Sequence, residues 1–146
     1  MPGGSGRAGA APMLRGVEPF RHPLSPRYLE VDRQGVVFNA WYLAYFDDAM
    51  TAFLAARGLP YTDLIAGGYD VMLVRTELDW SGGLGYGDAA YVEVDVAAVG
   101  RTSFTLTFDL VRDGVSLCRG RTVYVLVTAQ GNEKTPVPDR IRALLG

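Results

Sequence analysis

Residues 28–57, YLEVDRQGVVFNAWYLAYFDDAMTAFLAAR, hold the pattern that decides the fold. In the second half, Tyr42, Tyr45, Phe46, Ala49, Met50, Phe53 and Leu54 recur at the i, i+3, i+4, i+7 spacing of a helix with one buried stripe. The spacing predicts a helix over about residues 39–57. Asn39, a residue type that suits an N-cap, stands where the period begins, and Gly58 followed by Pro60 supplies the stop. Upstream, Asp32-Arg33-Gln34-Gly35 interrupts a strand-like run over 28–31, and Val36, Val37 and Phe38 lead into the helix. A carboxylate is thereby placed beside a helix N-terminus. The first helical turn leaves backbone N–H groups without intrahelical partners and its dipole favours negative charge, so such a place suits an oxyanion. Taken alone, Asp-x-x-Gly is also an ordinary turn with a capping aspartate, and four residues do not decide between the two readings.

The longer stretch resembles the signature of hotdog-fold acyl-CoA thioesterases of the 4-hydroxybenzoyl-CoA thioesterase type, through Tyr28, Asp32, Gly35, Val36, Val37, Tyr42 and Phe46. The resemblance implies that Asp32, in the Asp-x-x-Gly-hydrophobic-hydrophobic motif with Gly35, is the catalytic carboxylate. It implies that the backbone N–H of Asn39, at the helix start, binds the thioester oxygen. Many members carry His or Tyr there; Asn leaves the backbone donor intact. The same resemblance places Val37, Phe38 and Tyr42 beside the acyl group. It also turns Arg101 and Ser103, in Arg101-Thr102-Ser103-Phe104, into candidates for holding the substrate, with Arg101 on the phosphates of coenzyme A. The plain reading of Arg101 is a solvated turn residue. Arg119 and Arg121 are lesser candidates for the same ligand. Coenzyme A enters as part of the substrate, and no separate cofactor is implied.

Working outward, the 146 residues suit one domain, and an apolar share of 49% is that of an ordinary globular protein with one core. Fourteen basic against sixteen acidic side chains give a net charge of −2, which offers no broad footprint for nucleic acid. One cysteine, Cys118, excludes an intrachain disulfide, and with one histidine it cannot build a zinc site; both facts fit a cytoplasmic protein without a metal. No apolar run approaches the roughly 18–20 residues that cross a bilayer, so no membrane role is expected. Residues 1–16, rich in Gly, Ala and Pro, are expected to form a flexible tail ahead of a single domain over 17–146.

Residues 17–31 read as an extended edge segment, because Pro19, Pro23 and Pro26 each remove a ladder donor. His22 reads as a surface histidine there. After the helix, 59–68 reads as a connection. Four alternating runs follow, over 69–80, 89–99, 102–112 and 115–128. In the first, Met72, Val74, Leu78 and Trp80 are expected to point inward, opposite Arg75, Glu77 and Asp79. Asp113-Gly114 is a hairpin signal, and a short helix over 138–145 closes the chain. The glycine cluster from Gly82 to Gly87 has neither dinucleotide-loop nor P-loop spacing and reads as a connecting loop. There is no Gly-x-Ser-x-Gly elbow and no plausible Ser-His-Asp set.

The sum is an α+β layer structure, an antiparallel sheet of about five strands wrapped around one long helix: the hotdog arrangement. The resemblance then implies hydrolysis of a small or aromatic acyl-CoA, or of an acyl carrier-protein thioester, in a homodimer or homotetramer. A non-catalytic acyl-CoA-binding module shares every pattern feature. A hotdog hydratase is disfavoured because the lone histidine has no partner. Asp47, at the border of the helix stripe, is the reserve carboxylate, with a solvated position as its plain reading.

Overall fold

In the computed structural model, residues 18–146 are described; the tail expected over 1–16 lies outside them. The long helix α1 runs Asn39–Ala56 and buries the seven stripe residues named above. Five strands follow the topology β1-β3-β4-β5-β2, every neighbouring pair antiparallel, with β1 Phe20–Leu24, β2 Tyr69–Trp80, β3 Ala90–Val99, β4 Ser103–Arg112 and β5 Val115–Thr128. The sheet holds α1 on one face, and that is the hotdog arrangement. β1 and β2 are the two edges, and the prolines in and beside β1 suit its edge position.

The core is where the helix stripe meets the inward residues of the central strands. Phe46 is fully buried and stacks on Phe108 with ring centroids 4.9 Å apart. Gly120 on β5 makes this possible, since a Cβ there would stand 2.7 Å from Phe46 Cε2. Val92 and Val94 of β3, Leu106 and Leu110 of β4, and Leu126 of β5 complete the layer, each at 1% exposure or less. Burying a side chain of this size contributes about 1.5–3 kcal/mol before entropy is charged against it. A short helix α3, Asp139–Leu145, seats Ile141 and Leu145 in the same core. It is docked on the β3–β4 turn by Val137 N–H to Arg101 O at 2.8 Å and Arg142 Nη2 to Gly100 O at 2.9 Å.

Four expectations need correction. The N-cap of α1 is Phe38, with extended backbone and no side-chain cap, so Asn39 is the first helical residue and not the cap. The connection over 59–68 contains a helix α2, Tyr61–Ala66, started by Pro60 O accepting from Asp63 and Leu64 N–H. The strand-like run at 28–31 begins as a single 3₁₀ turn, Tyr28–Glu30, because the Glu30 side chain folds back onto Arg27 N–H. In β2, an irregularity between Leu73 and Arg75 shifts the register. Met72 and Val74 therefore turn outward, at 47% and 55% exposure, while Thr76 and Leu78 keep the inward side opposite Thr122 and Gly120; Trp80, opposite Cys118 at the strand end, sets its ring edge to face on Tyr42 but stays 46% exposed.

Candidate active site

Asp32 stands at the head of a tight hairpin. Its N–H donates to Val36 O at 2.9 Å, its carbonyl accepts from Gly35 N–H at 3.0 Å, and Val31 bridges Val37 below. A three-residue loop of this kind ends in a left-handed residue, and Gly35 takes that position at φ +83°. Asp32 Oδ1 accepts from Gln34 N–H at 2.8 Å, which is the turn-capping role in full. Among the described residues, Oδ2 receives no hydrogen bond. Thus the turn reading and the chemical reading of Asp32 coexist: one oxygen holds the loop and the other is uncommitted.

The hairpin's second strand runs straight into α1. Phe38 N–H donates to Glu30 O at 2.9 Å, and Trp41 N–H closes the first turn on Phe38 O at 3.0 Å. Among the described residues, the N–H groups of Asn39 and Ala40 meet no acceptor, as the start of a helix without a side-chain cap demands. Two residues of extended chain, about 7 Å, separate Asp32 from the ladder position opposite Phe38. A half-buried carboxylate and a pair of free helix donors are therefore held on two segments that the Phe38–Glu30 bond ties together.

The loop between β2 and β3 forms the third side. Val37 N–H donates to Leu84 O at 2.8 Å, Val36 bridges Gly85, and Leu84 N–H donates to Tyr42 Oη at 3.2 Å. Asp88 holds this loop: Oδ2 accepts from Gly85 N–H and from Arg112 Nη1, both at 2.7 Å. Those bonds keep the Asp88 carboxyl below the usual aspartate range. Val37 and Tyr42, each 2% exposed, are therefore core residues that position the loop, whereas Phe38 is 53% exposed beside the helix start. Burial pushes the Tyr42 hydroxyl above the ordinary tyrosine range, and the nearby Asp32 charge adds to the rise. Tyr42 accordingly stays a neutral hydroxyl that ties helix to loop.

Arg101 and Ser103 are not part of this constellation within one chain. Arg101 lies in the β3–β4 turn and Ser103 opens β4, its carbonyl accepting from Gly100 N–H at 2.7 Å. Asp88 and Arg112, beside the Asp32 hairpin, mark the other end of the same strands. Arg101 is exposed. Arg119 and Arg121 project from the sheet face away from α1, paired in register with Asp79 and Glu77 of β2. Asp47 is not solvated: it is half-buried and accepts from Tyr124 Oη at 3.0 Å.

Sequence reasoning missed Glu30, 5% exposed and one of three buried polar side chains among the described residues. Its Oε1 accepts from Arg27 N–H at 2.9 Å and from Tyr45 Oη at 2.7 Å, and its Oε2 accepts from the Arg27 guanidinium at 2.9 Å. Burial alone would raise its pKa, but these donors more than offset that and hold it below the ordinary glutamate range. The available signal was the i+3 spacing of Arg27 and Glu30 just ahead of Asp32.

A hotdog layer carrying a hairpin carboxylate against an uncapped helix start defines a thioesterase-like protein. Residues 26–145 match the thioesterase-like superfamily, and the chain belongs to that family. A 1,4-dihydroxy-2-naphthoyl-CoA hydrolase of Synechococcus elongatus is 25% identical over 118 residues, 80% of this chain and 87% of that protein. The crystal structure of a hypothetical protein of Aquifex aeolicus superposes with a TM-score of 0.83 at 23% identity, covering 88% of this chain and all of that one. A 1,4-dihydroxy-2-naphthoyl-CoA thioesterase of Synechocystis gives 0.78 at 19% identity, covering 88% and 96%.

Proposed function

We propose that this protein hydrolyses acyl-CoA thioesters in the manner of the 4-hydroxybenzoyl-CoA type, with a small or aromatic acyl group. The observation that supports the reading is Asp32: a half-buried carboxylate, fixed through one oxygen and free at the other, on a hairpin whose second strand runs into the uncapped start of α1. The named substrates of the relatives, aromatic acyl-CoA thioesters, favour an aryl group.

In the general-base route Asp32 takes a proton from water, and the oxygen of that water bonds to the thioester carbon. The carbonyl oxygen becomes an oxyanion held by Asn39 N–H; its collapse breaks the C–S bond, and coenzyme A leaves as thiolate and takes up a proton. In the nucleophilic route Asp32 itself bonds to the carbon, coenzyme A leaves, and water hydrolyses the mixed anhydride. Neither route needs a histidine or a metal. Arg101 of a second copy would hold the phosphates of coenzyme A, with two chains meeting along their β2 edges.

Asp32→Asn tests this reading. The amide still accepts from Gln34 N–H, so the hairpin and substrate binding are retained, but it can neither attack the thioester nor take a proton from water. Thiol release from aryl-CoA substrates is expected to fall by about 10² to 10⁴. A variant that keeps a tenth or more of native turnover would remove Asp32 from the chemistry.

A further inference from the structure

We propose that Glu30 is a positioning residue for this hydrolysis, fixing the Asp32 hairpin against the N-terminus of α1 through Tyr45 and Phe38. The inference rests on Asp32 being the reactive carboxylate. Its ground is connectivity. Glu30 lies two residues before Asp32, at the end of the 3₁₀ turn that leads into the hairpin. Its backbone carbonyl accepts from the N–H of Phe38, the N-cap of α1, while its Oε1 accepts from Tyr45 Oη, on the next turns of the same helix. The Arg27 backbone and guanidinium saturate the remaining acceptor sites. One buried side chain therefore joins the two halves of the machinery, the carboxylate loop and the oxyanion donors.

The core does not need a charge at this point. A carboxylate with its oxygens satisfied by three donor groups is a rigid link, and the remaining bonds between hairpin and helix are backbone contacts that leave the tilt of the turn less constrained. Catalysis by proximity is sensitive to such tilt, since a misplacement of about 1 Å costs on the order of 10²-fold in rate. Binding of coenzyme A through Arg101, as proposed above, would not be.

Steady-state kinetics and thermal melting of Glu30→Gln, Tyr45→Phe, Asp32→Asn and the Glu30→Gln/Asp32→Asn double variant test the proposal. Gln keeps the shape of Glu30 but turns an amide N–H₂ toward the Arg27 donors; Phe keeps the Tyr45 ring and removes only its bond to Glu30. Both single variants are expected to lower kcat by about ten- to a hundredfold with KM changed less than about threefold. Adding Glu30→Gln to Asp32→Asn is expected to cost nothing more, because the residue acts through Asp32. If Asp32→Asn keeps its turnover, the carboxylate reading itself falls. If Asp32→Asn is inactive while folded Glu30→Gln and Tyr45→Phe keep kcat within about twofold, the positioning role alone falls. Should Glu30→Gln fail to fold, Tyr45→Phe decides by the same criterion.

Discussion

Asp47 shows how a surface position on a helical wheel becomes a titrating partner of the sheet. Half-burial disfavours its charged form and raises its pKa, with the Asp48 charge adding to the rise and the bond from Tyr124 Oη partly offsetting it. With the folded-state pKa above the ordinary aspartate value of about 3.9, the native state binds more protons than the unfolded chain in the interval between the two. The stability owed to this group is therefore complete below the ordinary value and is lost as pH rises through the folded one. Asp47→Asn keeps an acceptor for Tyr124 and removes the charge. Its stability relative to the native chain should rise between pH 4 and pH 7 in urea unfolding at fixed protein concentration, with turnover little changed. A pH-independent difference would show that Asp47 titrates as an exposed residue, and a loss of turnover equal to that of Asp32→Asn would exchange the two roles. The Asp32 turn was legible in the sequence because a glycine, two apolar residues and a helix period follow it in order. Glu30 and Asp47 were not, because each is defined by a tyrosine that only folding brings near, fifteen and seventy-seven positions away.

At the scale of elements, α1 could be read almost to the residue, since a half-buried helix writes its burial into a single 3.6-residue period. The helix α2 could not, because six residues with Leu64 as the one buried side chain are too short to carry a period, and Pro60 reads as a breaker before it reads as a start. β2 was placed correctly along the chain but half of it was turned over, because one extra residue near Val74 inverts a period-two pattern without altering composition. Gly120 is the least conspicuous residue of β5 and among the most constrained. A methyl group there meets Phe46 at 2.7 and 2.9 Å and Leu78 Cδ2 at 3.0 Å, in a layer where Phe46 already stacks on Phe108. Gly120→Ala should therefore destabilise the fold by about 1–3 kcal/mol, the usual cost of overpacking a filled core. Equilibrium denaturation measures it; an unchanged midpoint would mean that α1 can lift from the sheet without penalty.

For the whole molecule, one chain satisfies its core but leaves the outer edge of β2 unpaired among the described residues, with Met72, Leu73 and Val74 exposed. A long apolar edge is a pairing surface, and on the proposed reading a second copy in antiparallel register would meet it without opening another edge. The pairing also answers a problem of distance. The ten residues of β4 put Arg101 at about 30 Å from the Asp32 end of the sheet, too far for both to be built into one small site of the same chain. A two-fold axis across β2 would reverse the partner and put its β3–β4 turn at the Asp32 end of this chain. The expected behaviour is complementation. Asp32→Asn homodimers should bind substrate without turning it over, and Arg101→Ala homodimers should turn it over with a raised KM, because a remote phosphate contact is shared by ground and transition states. In a hybrid dimer, the Asp32 of the Arg101→Ala chain meets the Arg101 of the Asp32→Asn chain, and one of the two sites is whole. Random exchange of equal amounts makes half of the dimers hybrids, so about a quarter of the native low-KM turnover should return. A mixture no better than the average of its components would place Arg101 outside the partner's site, and a protein that sediments as a monomer at micromolar concentration would remove the β2 pairing altogether.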